Sequence, residues 1–574
     1  MDRRMLLAMA LAILVLAANS LIFGKRGPRP GAPREGRDTS AVRTSPAPPI
    51  QPQRPPAVAT PAGLSSGGSQ LGNPGAMADT TGIVVVETDV LRAEFDPVGG
   101  AIRSWRLKRY TDAREEPADL VRTRSTGALW FAIRDGERII RTDSTRFSTE
   151  VAYGPTETVV TFSAQEPGGI GLVRTFRLEP GRYDARMDIR VSGAGERAEG
   201  GEWEIGWVDG LPAVERDPRG DHLASSAVAL FGKEFMKKGA SGGMFGCAGG
   251  GQGSRTEVHE GTLRWAGVRN KYFLGALLLD QPRDRRVVTS HNGAAHSAGA
   301  LISEPLSMSG VTETSYKLYL GPIHYTSLSS YGLDLERVQD LGPGVLRPFS
   351  KLLMKFFVVL NSVISNYGFV ILILSVLIRV IFYPLTKKSM NSMKRMQALK
   401  PEMDRISQKY KNDPEKKNRE VMELYRKNKI NPLGGCLPVL VQLPVLSGLY
   451  YVLANAVQLR KEPFLLWMRD LSAPDTVAHV AGFPLNVLPL IMAGTMVWQQ
   501  KITPSDPRQA SLGYIMPIFM TFLFYSTPSG LVFYWTVSNL LTVLQQIWMN
   551  RSSAGAAAMG AGDMGLPGGG GTGR

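Results

Sequence analysis

Apolar residues crowd the N-terminus and the last third of this chain, while its middle alternates apolar with polar positions. Met5 to Phe23 is an uncharged apolar run of nearly spanning length behind Arg3 and Arg4, and no A-x-A cleavage site or nearby Cys follows it. Residues 1–26 therefore read as a retained transmembrane signal anchor rather than a cleaved signal peptide. From 27 to 81, Pro, Gly, Ala and Ser dominate, a composition that buries no core and predicts a disordered linker. Beyond it, Tyr183, Ala185, Met187, Ile189 and Val191 alternate with Asp184, Arg186, Asp188 and Arg190, the period of a strand with one buried face. Leu91 to Phe95, Thr158 to Phe162, Arg264 to Leu279 and Tyr316 to Leu320 read as further strands. Residues 82–325 are thus expected to form a large antiparallel all-β sandwich. Gly239 to Gly253 lacks the strand, turn and helix context of a phosphate loop and reads as flexible.

In the last third the period changes. Leu346 to Leu360 places Phe349, Leu352, Leu353, Phe356 and Phe357 on one helical face, which predicts an interfacial amphipathic helix over 346–360. Five apolar runs of single-crossing length follow within 361–550: about Asn366 to Tyr383, Leu437 to Leu459, Pro484 to Gln500, Gly513 to Tyr525 and Gly530 to Met549. The last two read as short enough for a thin or shielded site. With the anchor they make six transmembrane helices, so the expected class is a multi-span α-helical membrane protein carrying an all-β domain. Between the first two runs, residues 387–431 set Met390, Met393, Met396, Leu399, Met403, Ile406 and Tyr410 at steps of three or four. A turn at Asn412-Asp413-Pro414 and a return through Val421, Leu424 and Tyr425 complete a helical hairpin. Its methionine stripe serves antiparallel packing, or the capture of varied apolar partners, or both. The hairpin is rich in Lys and Arg, which places it and both termini in the cytoplasm, and the β-domain on the opposite side of the membrane. The Gly-rich tail, 551–574, reads as disordered.

The net charge of +16 suits nucleic acid or an anionic membrane surface, and its concentration beside apolar runs favours the membrane, with no specific nucleic acid. Two cysteines, Cys247 and Cys436, fall on opposite sides of this topology, so no intramolecular disulfide is expected. Six His without metal-ligand spacing, and no H-E-x-x-H or G-x-S-x-G, predict neither an enzyme nor a metal or other cofactor. The conspicuous residue is Arg379, inside an apolar run with no Asp or Glu in any strongly apolar segment. An arginine near mid-bilayer costs roughly 2.5 to 3.5 kcal/mol on insertion scales. Either it snorkels, being about 6 Å of helix from Tyr383 and Pro384, or it faces a wet cavity between helices. Ser375 lies one turn before it, Gln442 in the next run, and Tyr534, Thr536, Ser538 and Asn539 in the last. Singly these are interhelical hydrogen-bonding residues; as a set around an unpaired arginine they read as a polar groove.

The stretches NYGFVILILSVLIRVIFYPLTKKSMNSMKRMQALKPEMDRISQKYKND, LYRKNKINPLGGCLPVLVQLPVLSGLYYVL, FLLWMRDLS and PSGLVFYWTVSNLLTVLQQ closely resemble the YidC family of membrane protein insertases. VETDVLRAEFDPVGGAIRSWRLKRY, WAGVRNKYFLGALLL and YKLYLGP extend the resemblance to the Gram-negative type with a large periplasmic domain. The resemblance implies a periplasmic β-supersandwich related to sugar mutarotases, a cytoplasmic hairpin, and a five-helix insertase core with a groove open to cytoplasm and lipid. It implies a cell inner membrane protein that helps insert, fold and assemble integral membrane proteins, alone or with the Sec translocon and its accessory proteins. Arg379 matches the groove arginine, Ser375 the hydroxyl position before it, and Gln442 a groove glutamine, while Trp535, beside Tyr534, stands where Tyr is common. Nascent membrane proteins are the implied partners, with the basic loop as a surface for the ribosome; the tail lacks the basic character of members that dock ribosomes through it. Two other classes stay open. An anion transporter or channel would use Arg379, although no inverted repeat or broken-helix pair is evident. A membrane-anchored periplasmic sugar-modifying enzyme rests on fold resemblance alone.

Overall fold

A computed structural model describes residues 82–121, 128–135, 138–166, 169–193, 201–216, 218–239, 254–307, 310–430, 437–480, 482–502 and 510–562. The expected anchor, linker, glycine-rich loop, both cysteines and residues 563–574 lie outside the described residues.

Strand alternation builds two antiparallel sheets. The smaller runs in order through Val84–Glu87, Leu91–Asp96, Ala101–Thr111 and Pro117–Asp119. The larger is organised around the 20-residue strand Phe273–Asn292. Its first part pairs with Val311–Pro322 and its last with Ser297–Pro305, while Ser254–Arg269 pairs along both, so one long hairpin joins the two halves. Asp184–Ser192 forms as its pattern predicts, burying Ala185, Met187, Ile189 and Val191 between Ile170–Leu178 and Val311–Pro322. Arg264 to Leu279 is not one strand but parts of two. Asn270 Oδ1 accepts from Tyr272 N (3.1 Å) and Phe273 N (2.8 Å), an Asx-type turn that reverses the chain. The sheets share one core, with Phe95 of the small sheet 5.1 Å from Phe176 of the large one. A second core of the large sheet runs past residue 325. Leu328, Leu335 and Val338 pack on Val228, Leu230 and Trp265, and Trp265 Nε1 donates to Leu333 O at 2.9 Å.

Two short helices, α1 (Pro218–Ala224) and α2 (Tyr325–Ser329), belong to this β-rich part. The helical part comprises α3 (Arg347–Asn361), α4 (Tyr367–Ile381), α5 (Tyr383–Ala398), α6 (Lys400–Lys409), α7 (Pro414–Lys427), α8 (Leu437–Asn455), α9 (Val487–Ile502), α10 (Ala510–Phe524) and α11 (Ser529–Gly562). Helix α3 buries Ser350, Leu353, Met354 and Phe357 and leaves Leu352 63% exposed, so its packed face is turned from the one expected. The first arm of the basic hairpin is two helices, because Pro401 supplies no N–H and breaks the ladder at Leu399. Helix α11 continues to Gly562, past the expected start of a disordered tail at 551, and is long rather than short. Ahead of α9 stands a β-hairpin, Thr476–Val480 with Phe483–Asn486, where a helix was expected from Pro484. Among the described residues no single helix is long and apolar enough to cross a membrane; α4 and α5, bent by 61°, pass together on length and composition. Exposed Phe369, Leu372 and Val380 on α4, and Ile518, Phe519 and Phe522 on α10, form apolar surfaces that water does not favour.

The β-rich part is locked to the segment after α8. Val457 enters the β core. Arg460, 8% exposed, pairs with Glu215, donates to Thr111 O at 2.6 Å and lies over the rings of Tyr272 and Phe273. Lys461 Nζ meets Thr111 Oγ1 (2.7 Å) and Glu115 Oε2 (3.1 Å), and Tyr272 Oη reaches Ala454 O and Ser472 Oγ, each at 3.3 Å.

Candidate functional site

Three helices bring the candidate polar residues together. Helix α4 starts where Asn366 Oδ1 accepts from Gly368 N at 2.9 Å and Phe369 N at 3.4 Å, satisfying orphan donors of the first turn. It ends at Phe382, where Pro384 in the next helix interrupts the ladder and produces the bend. Gly368 lets the Phe464 ring pack against the backbone, since a Cβ there would lie 1.9 Å from that ring. Arg379 is carried on the last turn of α4.

Arg379 Nη2 donates to the backbone carbonyl of Ser538 on α11 at 2.7 Å, and Thr542 Oγ1 donates to the same oxygen at 2.7 Å. Among the described residues Arg379 forms no ion pair. Gln442 Nε2 on α8 lies 3.3 Å from Tyr534 Oη and 3.2 Å from Ser538 Oγ. Arg379, Gln442, Tyr534 and Ser538 thus form one cluster, with Ser538 joining both halves through its backbone and its hydroxyl. Tyr534 is fully buried, whereas Arg379, Gln442 and Ser538 are partly exposed. Thr536 bonds back to Val532 O, and Asn539 Nδ2 reaches Thr495 Oγ1 of α9 at 3.2 Å, so both hold helices rather than join the cluster.

Two expected members are not brought in. Ser375 shares the helix with Arg379, but it is 2% exposed and its hydroxyl donates to Ile371 O at 2.7 Å, the back-bond common for hydroxyls inside helices. Trp535 packs its ring 5.5 Å from Phe524, and its buried Nε1 finds no hydrogen-bond partner among the described residues. The residue under-weighted from sequence is Ser538, whose decisive acceptor is a backbone carbonyl that no side-chain pattern announces.

In the basic hairpin Met403, Val421, Tyr425 and Ile430 form a small core, with Met396, Leu399, Ile406 and Leu424 against it. Tyr425 Oη donates to Met403 Sδ at 3.3 Å. Met390 is buried outside that cluster and Met393 is half-buried, so the stripe divides, with Met403 and Met396 in packing.

A β-rich part is fastened to helices with apolar outer faces, and Arg379 forms no ion pair among the described residues; the comparisons give the class, an inner membrane protein with a periplasmic domain. The family profile described as 60Kd inner membrane protein matches residues 359–556, and that described as YidC periplasmic domain matches 83–356. The protein called membrane protein insertase YidC in Syntrophus aciditrophicus is 31% identical over 96% of this chain and 100% of its own. That of Chlorobaculum tepidum is 30% identical over 96% and 95%. A solved structure titled an active YidC insertase with the first transmembrane domain resolved covers 82% of this chain and 93% of its own, at 18% identity and a TM-score of 0.36. This chain belongs to the YidC family of membrane protein insertases.

Proposed function

We propose that the chain inserts nascent proteins into the inner membrane through a hydrated groove between α4, α8 and α11 whose positive charge is Arg379. Six spans are inferred, the anchor and the five helices α4 and α8 to α11, with the basic hairpin and both termini cytoplasmic. The observation that carries the reading is the bonding of Arg379. Among the described residues its hydrogen bond is to a carbonyl and it forms no ion pair, so its charge remains available to a passing carboxylate. A groove of this kind lowers the cost of drawing a short polar segment partway into the bilayer, and partition of the substrate's apolar segment into lipid supplies the driving force. The hairpin, through its basic surface and Met393, meets chains and the ribosome on the cytoplasmic side, and the Sec translocon is a partner for larger substrates.

Thiol labelling tests the groove. In an active background with Cys247 and Cys436 replaced by Ser, Arg379→Cys, Gln442→Cys and Ser538→Cys should react with a water-soluble reagent applied from the cytoplasmic side. Leu377→Cys, on the exposed apolar face of α4, should not. Protection of positions 442 and 538 in active protein would remove the groove.

A further inference from the structure

The β-hairpin Thr476–Val480 with Phe483–Asn486 takes no part in the Arg379 cluster, yet its base is firmly held. Thr476 Oγ1 donates to Asn486 Oδ1 at 2.7 Å, Asn486 Nδ2 to Tyr525 O at 2.6 Å, and Tyr525 Oη to Pro484 O at 2.6 Å. Asp475 Oδ2 accepts from Leu488 N at 2.6 Å and Trp467 Nε1 at 3.0 Å, which pins the hairpin to the start of α9. Its outer part is bare and mostly apolar, with Val477 52%, Val480 61% and Phe483 77% exposed and the polar His479 exposed among them. No Asp, Glu, Lys or Arg occurs from 476 to 500. Exposed apolar residues recur at Leu485 and, past the buried Asn486, Leu488 and Pro489, at Leu490 and Ile491 of α9.

We propose that this hairpin is a membrane-seated wedge, with Val480 and Phe483 inserted among lipids at the headgroup boundary of the periplasmic leaflet. The proposal rests on the reading of α9 as a span. The side follows from the chain: the hairpin succeeds the segment through Ser472, which Tyr272 of the β-domain holds. The occupant follows from chemistry and chain position, because an exposed apolar tip with no Asp, Glu, Lys or Arg leads directly into a helix whose exposed Leu490 and Ile491 face lipid in the span reading. The depth follows from backbone chemistry. The outer edges of a two-stranded hairpin carry unpaired N–H and C=O groups, which hydrocarbon does not tolerate and headgroups and water satisfy. Side chains therefore dip while the backbone stays at the boundary, as amphipathic surface elements do. The wedge fixes the height of α9 and α10 in the bilayer.

The test uses the full chain in vesicles of phosphatidylethanolamine and phosphatidylglycerol, with Cys247 and Cys436 replaced by Ser. Val480→Cys and Phe483→Cys carry an environment-sensitive fluorophore, with Val477→Cys as the alternative if either fails to fold. Val258→Cys on the β-domain is the water reference and Leu490→Cys the lipid reference. Iodide quenching at 480 and 483 should be roughly threefold weaker than at 258, with strong quenching by lipids spin-labelled near the headgroup. Leu490→Cys should respond most to labels deep in the chain. Iodide quenching equal to position 258, with no lipid quenching while 490 is quenched, overturns the wedge and assigns the surface to a protein partner. Loss of lipid quenching at 490 as well overturns the span reading and the wedge with it.

Discussion

Replacing Arg379 separates a structural arginine from a working one. In Arg379→Ala the lost contact is one charge-assisted hydrogen bond to Ser538 O, at 2.7 Å, of a kind that contributes about 1.5 to 3 kcal/mol. No carboxylate among the described residues is left uncompensated, so the larger penalty of breaking a buried ion pair does not arise. Removing the charge also relieves an insertion cost of roughly 2.5 to 3.5 kcal/mol. The two offset, and the thermal stability of the variant should lie within about 1 kcal/mol of the parent. Function should respond differently. A substrate carboxylate passing about 6 Å from the guanidinium, at an effective dielectric constant of about 20, is attracted by roughly 3 kcal/mol.

Losing that attraction should slow insertion of substrates with acidic translocated segments by roughly ten- to a hundredfold, the lower figure applying where water screens the groove. Substrates with uncharged segments should stay within about twofold, since they draw nothing from the charge. Arg379→Lys should recover most of the loss, because a point charge suffices and the Ser538 carbonyl asks for no planar fork. The assay is protease protection of a small substrate and its charge-neutralised variant in vesicles holding the purified chain, beside a melting curve in detergent. Equal losses on acidic and neutral substrates, together with a matching fall in stability, would refute the reasoning.

Arg460→Ala should loosen the β-domain, costing about 3 kcal/mol because the buried bonds of Arg460 to Glu215 and Thr111 O go and the partly buried Glu215 carboxylate loses this partner, and Glu215→Gln in the same chain should recover part of it; hydrogen exchange at residues 109–116 and 457–462 reads this. Deleting 27–325 removes none of the Arg379 cluster and should permit insertion, but it strips Leu328, Leu335 and Val338 of partners; deleting 27–340 should yield more stable protein, measured as folded yield in detergent. Met403→Ala should cost the hairpin about 2 kcal/mol of local stability by hydrogen exchange, whereas Met393→Ser should leave exchange unchanged and lower crosslinking to nascent chains. Lys461 holds the Glu115 carboxyl below its ordinary 4.5, so its contribution is present above that value and is lost as pH falls through the lowered one; melting curves of Glu115→Gln should lack that acid step.

Legibility followed periodicity and failed where periodicity was absent. Asp184–Ser192 announces itself because one face is buried and the other charged. Arg264 to Leu279 merges two strands because Trp265 to Val268 and Phe273 to Leu278 are buried on both faces, which erases the alternation and leaves only Asn270 to mark the turn. The same loss hides the short elements after residue 325, too brief for a helical period, and the hairpin before α9, whose apolar residues read as the start of a helix. Arg379 was visible as a cost, since a lone cation in an apolar run needs an explanation whatever the fold.

Its solution was not visible, because the acceptor is a carbonyl, and every residue carries the same carbonyl. Gln442 and Tyr534 were identified by chemical type, yet what joins them to Arg379 is the position of Ser538 on a helix more than 150 residues away. Ser375 had the right spacing and bonds its own helix instead, since a buried hydroxyl takes the nearest acceptor, four residues back. The Arg460 and Glu215 pair is separated by 245 residues and has no local signature at either end. A sequence therefore exposes the groups that folding must satisfy, and backbone geometry decides how. It follows that a cation answered only by a carbonyl keeps its charge for use, whereas Arg460, answered by a carboxylate, spends its own holding two domains together.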